Sequence, residues 1–230
     1  MNKEQCFRGI QKTSVIDFPG KVACVLFAGG CNFRCPFCYN VTLVEKTAPE
    51  LVWPGIWHFL DKRKHLLQGV VISGGEPTLA PYLKEFIVQA KGLGLSIKLD
   101  TNGSNPQVLG ELLGKGLLDY VSMDIKNSPE KYAETCGLKV LDLVPLTESI
   151  RLLKECGTAY EFRTTLCAGL HTPEDFQAIA ALTGGGERYI LQRVQTSPTL
   201  SGRAFTPLSP REMEEMAKIL QRSFNEVKVR

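Results

Sequence analysis

Short apolar runs alternate with longer amphipathic ones along most of this chain. Six runs read as strands: residues 22–27, 69–73, 96–100, 120–125, 160–166 and 189–194. Each is short and mostly apolar, as strands buried on both faces are. Helical patterns fall between them. Leu83, Phe86, Ile87, Ala90 and Leu93 make one apolar stripe at helical spacing, and Gly92 and Gly94 mark its end. Leu109, Leu112 and Leu113 suggest a shorter helix, and Ile150 and Leu153 another before Cys156-Gly157. Two helix starts are written sharply. Thr172-Pro173-Glu174-Asp175 places a cap, a first-turn proline and acids in order, and Ser209-Pro210-Arg211-Glu212 is a capping box. Behind the second, Met213, Met216, Ala217 and Leu220 form a core face.

Strands that alternate with helices predict a parallel sheet with right-handed crossovers. A closed eight-unit barrel takes about 250 residues. Six units in 230 residues suit an open, partial barrel, although the pattern alone also allows a flat doubly wound sheet. No repeat, low-complexity tract or linker is visible, so residues 1–230 read as one domain. In either architecture the functional residues belong at the carboxyl ends of the strands.

Composition narrows the function classes. Hydrophobic residues make up 43% of the chain, an ordinary globular value. A net charge of +3 is too small to argue for nucleic acid. The basic run Lys62-Arg63-Lys64 reads as a solvated helix face. No stretch reaches membrane-spanning length, and the N-terminal MNKEQCFRGIQK lacks the apolar core of a signal peptide. The expectation is a cytoplasmic protein with reduced thiols.

The strongest chemical signal is Cys31, Cys35 and Cys38, a Cys-x3-Cys-x2-Cys run. Thiolates on short loops hold iron–sulfur clusters, and a cubane normally takes four. Three come together here and no fourth follows, which would leave one iron open to an outside ligand. Structural zinc wants four ligands, and His58, His65 and His171 are not spaced like a zinc finger. Disulfide frameworks belong to small secreted chains. The remaining Cys6, Cys24, Cys136, Cys156 and Cys167 are scattered and read as small buried hydrophobes.

Other polar motifs follow successive strands. Gly74-Gly75-Glu76-Pro77-Thr78 follows the second, Asp100-Thr101-Asn102-Gly103 ends the third, and Asp124-Ile125-Lys126 ends the fourth. Arg163 lies in the fifth, and Gln192, Arg193 and Gln195 lie in or after the sixth. Turn chemistry explains each motif taken singly. Their order, one after each strand, points to one site.

Together these motifs resemble the radical S-adenosylmethionine (SAM) enzymes, and within them the glycyl-radical-enzyme activases. Residues 11–21 (QKTSVIDFPGK) and 160–165 (YEFRTT) resemble the anaerobic ribonucleoside-triphosphate reductase activating proteins. The resemblance covers nearly the whole chain. One departure is Tyr39, where pyruvate formate-lyase activases typically carry histidine.

The resemblance implies a partial (β/α)6 barrel of the radical SAM type. It implies a [4Fe–4S] cluster on Cys31, Cys35 and Cys38, with SAM chelating the open iron, and no catalytic residue beyond cluster and SAM. Phe37 would pack near the adenine. Gly74, Gly75 and Glu76 would line the methionine amino group, with Glu76 accepting from it. Asp100 and Asp124 match positions that help hold a monovalent cation near the SAM carboxylate. Lys126 matches a lysine that contacts SAM, and Gln195 falls roughly where a related activase has a histidine near the ribose. The implied partners are a large glycyl-radical enzyme, the anaerobic ribonucleotide reductase first, and an electron donor such as flavodoxin or ferredoxin. Alternatives are activation of another such enzyme, for example pyruvate formate-lyase, or chemistry on a small molecule by a deazapurine synthase-like protein. An iron–sulfur electron carrier is a third reading, opposed by the three-ligand set and the SAM-type motifs.

Overall fold

All six expected strands form, and they lie side by side in the order in which the chain reaches them. The computed structural model describes residues 6–230; residues 1–5, which head the stretch read as lacking a signal-peptide core, lie outside it. In chain order the elements are β1 (Cys6–Phe7), β2 (Gly9–Ser14), β3 (Ala23–Ala28), α1 (Val41–Val44), β4 (Leu51–Val52), α2 (Trp53–Arg63), β5 (Gly69–Gly74), α3 (Leu83–Gly92) and β6 (Ser96–Thr101). There follow α4 (Pro106–Gly114), β7 (Tyr120–Asp124), α5 (Tyr132–Thr135), α6 (Val144–Glu155), β8 (Ala159–Leu166), α7 (Pro173–Thr183), β9 (Gly186–Arg193), α8 (Pro210–Leu220) and β10 (Phe224–Val229).

The main sheet runs β2-β3-β5-β6-β7-β8-β9-β10. Only the β2–β3 pair is antiparallel; every other neighbour is parallel. A doubly wound sheet reverses its strand order at a switch point. This order never reverses, which settles the choice in favour of an opened barrel. The ladder ends at β2 on one side and β10 on the other. The sheet therefore has two strands more than the six expected. A separate small ladder pairs β1 with β4 and seats Phe7 against Tyr82 and Phe86.

The inner strands are buried almost throughout, as their apolar runs require. Helix α3 buries Leu83, Phe86, Ile87 and Ala90. Helix α8 buries Met213, Met216, Ala217 and Leu220; the capping box at Ser209 forms as written, and the cap at Thr172 closes into one as well, with Asp175. The Lys62-Arg63-Lys64 run closes α2, whose inner face is Trp53, Ile56 and Leu60. Of the scattered cysteines, Cys6, Cys24, Cys136 and Cys167 are buried, whereas Cys156 is only half-buried. No helix among the described residues is long and apolar enough to cross a membrane.

Candidate active site

The loop after β3 carries the three cysteines, and neighbouring segments clamp it through backbone bonds. Arg34 N–H donates to the Cys136 carbonyl at 2.8 Å, and Leu200 N–H donates to the Cys38 carbonyl at 2.8 Å. From the β5 side, Glu76 N–H donates to the Gly30 carbonyl at 2.8 Å. This approach explains Gly75. A Cβ there would lie 1.9 Å from the Gly30 oxygen, so position 75 admits no side chain. The Gly-Gly pair is thus a packing requirement between two loops as well as a turn.

A cavity of about 310 Å³ opens at this end of the sheet. Cys31, Cys35, Cys38, Phe37, Gly74, Gly75, Asp100, Asp124 and Lys126 all line it, together with Arg163, Gln192 and Gln195. Nine of the ten expected site residues therefore converge on one space, contributed by the ends of successive strands.

Glu76 is the exception. It is 1% exposed and does not line the cavity. Its Oε1 accepts from Thr78 N–H (3.0 Å), Thr78 Oγ1 (2.6 Å) and Thr101 Oγ1 (2.8 Å), and its Oε2 accepts from Asn102 N–H (2.6 Å). Burial pushes the carboxyl pKa up against these four bonds. The expectation that Glu76 accepts from a ligand ammonium is replaced by a different role: its carboxylate ties the loop after β5 to the loop after β6. Glu76→Gln would turn an –NH2 toward at least one of these donors. We expect it to lower the unfolding free energy by about 1–3 kcal/mol, read as the denaturation midpoint. An unchanged midpoint would contradict the bridging role.

The remaining charges form a ladder across three strands. Arg163 of β8 donates through Nε to Asp124 (2.9 Å) and through Nη1 to Asp100 (3.2 Å). Lys98 pairs with the other oxygen of Asp100, and Lys126 Nζ donates to the other oxygen of Asp124 at 2.9 Å. Burial pushes Asp124 up, but Arg163 and Lys126 outweigh it and hold the carboxyl at about 2. Asp100 is held below its ordinary value in the same way, against burial, by Arg163 and Lys98. Burial opposes the charge on Lys126, yet Asp124 and Cys35 keep its pKa well above the usual lysine value.

This ladder bears on the implied monovalent cation. Such an ion needs free oxygen ligands. Here the guanidinium of Arg163 spans the gap between the two carboxylates, and two lysines take the outer oxygens. The residues as arranged do not fit a cation.

They do fit a cluster. Among the described residues no three His, Cys, Asp or Glu side chains gather closely enough to hold one metal ion. Zinc would draw every sulfur to about 2.3 Å, whereas a cluster binds each thiolate on a different iron. Donors are already aimed at the sulfurs, as ligand thiolates require. Phe33 N–H reaches Cys31 Sγ at 3.4 Å, and Asn102 Nδ2 lies 3.9 Å from the same atom. The neighbouring Cys136 thiol draws the Cys35 thiol down to about 7, while Cys136 itself moves up. Burial, by contrast, pushes Cys31 up to about 11 and raises Cys38.

Sequence reasoning left three contributors unassigned. Arg163 bridges two carboxylates from other strands, the Cys136 carbonyl holds the cysteine loop through Arg34 N–H, and His171 fixes the Lys126 backbone. The His171 Nδ1 accepts from Cys167 N–H at 3.2 Å, so its Nε2 carries the proton and donates to the Lys126 carbonyl at 2.9 Å. Burial lowers its pKa and keeps the ring neutral. The sequence places Arg163 at the site without giving its role and carries no local signal for Cys136, because the partners of both are far away along the chain. The third is a lone histidine.

Residues 25–183 match the radical SAM superfamily, and this stretch spans the cysteine loop and every strand that lines the cavity except β2 and β9. The chain belongs to that superfamily. A Methanocaldococcus jannaschii protein provisionally named a glycyl-radical enzyme activating enzyme is 30% identical over 96% of this chain and 94% of its own length. A Thermococcus kodakarensis protein named as a probable GTP 3′,8-cyclase is 28% identical over 81% of the chain, which spans 57% of that longer relative. Among solved structures, a radical SAM methyltransferase from Sphaerobacter thermophilus superposes with a TM-score of 0.73 at 16% identity, covering 93% of this chain and 67% of that one. The last likeness is one of fold. As a radical SAM enzyme, the protein uses a [4Fe–4S] cluster and SAM.

Proposed function

We propose that this radical SAM enzyme activates a glycyl-radical enzyme, with the anaerobic ribonucleoside-triphosphate reductase as its partner. The observation that carries this reading is the near end-to-end match to a relative named for glycyl-radical activation. The unclosed sheet supports it, because a gap between β2 and β10 leaves room for a loop of a folded partner. Cys31, Cys35 and Cys38 would hold the cluster. Lys126 would serve the SAM carboxylate, the Gly74–Gly75 backbone its ammonium, and Phe37 its adenine. The chemistry supplied is one-electron cleavage of SAM, which yields methionine and an oxidant able to take a hydrogen atom from a glycine Cα. The chain's own part is to orient SAM beside the cluster, which turns an encounter into a positioned step. The electron would come from a flavodoxin or ferredoxin, in a reducing cytoplasm.

The test mixes reduced, cluster-loaded protein, SAM and the anaerobic reductase, then records EPR. The expected result is a glycyl doublet on the reductase with stoichiometric 5′-deoxyadenosine. A doublet only on pyruvate formate-lyase would move the protein to another activase branch. Absence of any glycyl radical, together with turnover of a nucleotide, would favour the small-molecule reading that the cyclase relative represents.

A further inference from the structure

We propose that this enzyme binds SAM without a monovalent cation: Lys98 and Arg163 stand where the ion would sit, and Lys98 is the positioning residue that keeps Asp100 closed to it. The proposal rests on the reading that SAM places its carboxylate at the Asp100, Asp124 and Lys126 end of the cavity.

All four oxygens of the two carboxylates are taken. Asp100 Oδ1 accepts from Lys98 Nζ, and Asp100 Oδ2 from Arg163 Nη1 at 3.2 Å. Asp124 Oδ1 accepts from Arg163 Nε at 2.9 Å, and Asp124 Oδ2 from Lys126 Nζ at 2.9 Å. A hard cation binds through oxygen atoms turned toward it. Each oxygen here faces a nitrogen that already carries positive charge, so an entering ion would displace a donor and lie beside a like charge. Lys98 is the less expected member. It shares a row of the sheet with Val25, Val71 and Tyr120, which belong to the apolar cluster around Phe18. The lysine is 1% exposed, and its Nζ lies 5.9 Å from the centre of the Tyr120 ring. Asp100 is the one hydrogen-bond partner of that Nζ among the described residues. Another buried carboxylate, Glu161, accepts from the Tyr120 hydroxyl at 3.0 Å and from Ser122 Oγ at 2.7 Å, which leaves Lys98 to Asp100.

Stability alone does not call for a lysine in this row. A buried ion pair is often no more stabilising than apolar side chains of the same volume. What Lys98 supplies is a fixed positive charge at Asp100, the task a bound ion would otherwise perform. A charge carried on the chain is preorganised and present at every salt concentration. The arrangement has a consequence for substitution. Removing the lysine charge while keeping the carboxylate uncovers Asp100 Oδ1 and leaves Asp100 with Arg163 as its only cationic partner. A buried carboxylate that has lost a partner is unfavourable, and a small cation from solution can take the place of the missing ammonium. Lys98 variants should therefore acquire the ion dependence that the wild type lacks.

The experiment measures SAM affinity of the cluster-loaded protein by anaerobic equilibrium dialysis, in choline chloride and then in sodium or potassium chloride at equal ionic strength. The wild type is expected to bind SAM equally in every salt. Wild-type binding tightened about tenfold by sodium or potassium would reveal a working ion site and overturn the proposal. Lys98→Met is expected to bind SAM weakly in choline and about tenfold more tightly in sodium or potassium. Adding Asp100→Asn to Lys98→Met should abolish that gain, because no uncovered carboxylate is left. A Lys98→Met protein indifferent to the salt would reduce Lys98 to packing. A gain that survives Asp100→Asn would put the ion elsewhere. Either result overturns the role given to Lys98. If Lys98→Met fails to fold, Lys98→Gln, which keeps a donor without the charge, carries the same prediction. A wild-type protein that takes up a cluster yet binds no SAM in any salt would instead defeat the reading of the cavity, so the two failures are distinguishable.

Discussion

Replacing Arg163 by methionine is expected to destabilise the fold by about 3–5 kcal/mol, the usual result of removing one partner from a buried ion pair. The cost arises because Asp100 and Asp124 would then face each other with only one lysine apiece. The effect depends on pH, and its sign can be worked out. In the wild type the Asp124 pKa is depressed, from 3.8 to about 2. A depressed carboxyl contributes stability above its unfolded pKa and loses it as pH falls through the folded one. That shift corresponds to about 2 kcal/mol, lost between roughly pH 4 and pH 2. Arg163→Met removes the main cause of the depression. The difference between wild type and variant should therefore be largest near neutrality and shrink through that acid window. Urea melts at pH 7 and at pH 3 would measure it. Equal differences at the two values would mean that Arg163 acts through packing alone.

The second large effect concerns the cysteine loop. Alanine at Cys31, Cys35 or Cys38 is expected to abolish the broad visible absorbance of the reconstituted cluster and reduce SAM cleavage to background. Complete losses are expected because each thiolate would serve a separate iron, and the loop would supply three ligands where a cubane normally has four. Cys24→Ala and Cys167→Ala should retain both properties, since these thiols belong to the core and do not line the cavity. Loss of the cluster in either control would end the three-ligand assignment.

Much of the fold was legible because a strand covered on both faces must be apolar throughout. Such runs as ACVLFA and YVSMD leave little choice. The strands missed were the edges. In β2 the sequence GIQKTS is half exposed, and FNEVKV of β10 mixes charged with apolar positions, so neither makes a continuous apolar run. The start of β9 was missed by three residues because Gly186, Glu187 and Arg188 are polar or small.

The site divided along similar lines. Motifs at strand ends revealed which residues meet, since strand direction brings them to one end. The direction in which each side chain points was not legible. Glu76 turns into the protein because Thr78, Thr101 and Asn102 offer it four donors, a fact of two loops together. Arg163 and Cys136 escaped assignment for a related reason: each acquires its role from partners tens of residues away, and no local pattern marks such pairs.

The order of the strands also constrains how the molecule assembles. Because chain order equals spatial order, each strand from β5 onward adds to the edge that its predecessor has just exposed. The main sheet can grow by accretion, and each new closure spans only one crossover rather than the whole chain. Closure entropy rises with the length of the loop being closed, so no step carries the cost of joining distant ends. The same geometry leaves an apolar, unpaired edge at every intermediate stage, the feature that invites pairing with another chain. At the β10 edge Glu226 and Lys228 interrupt the apolar run that makes the inner strands adhesive. The weak strand pattern of β10 is thus itself useful: it blunts an edge that the sequence of a buried strand would leave adhesive.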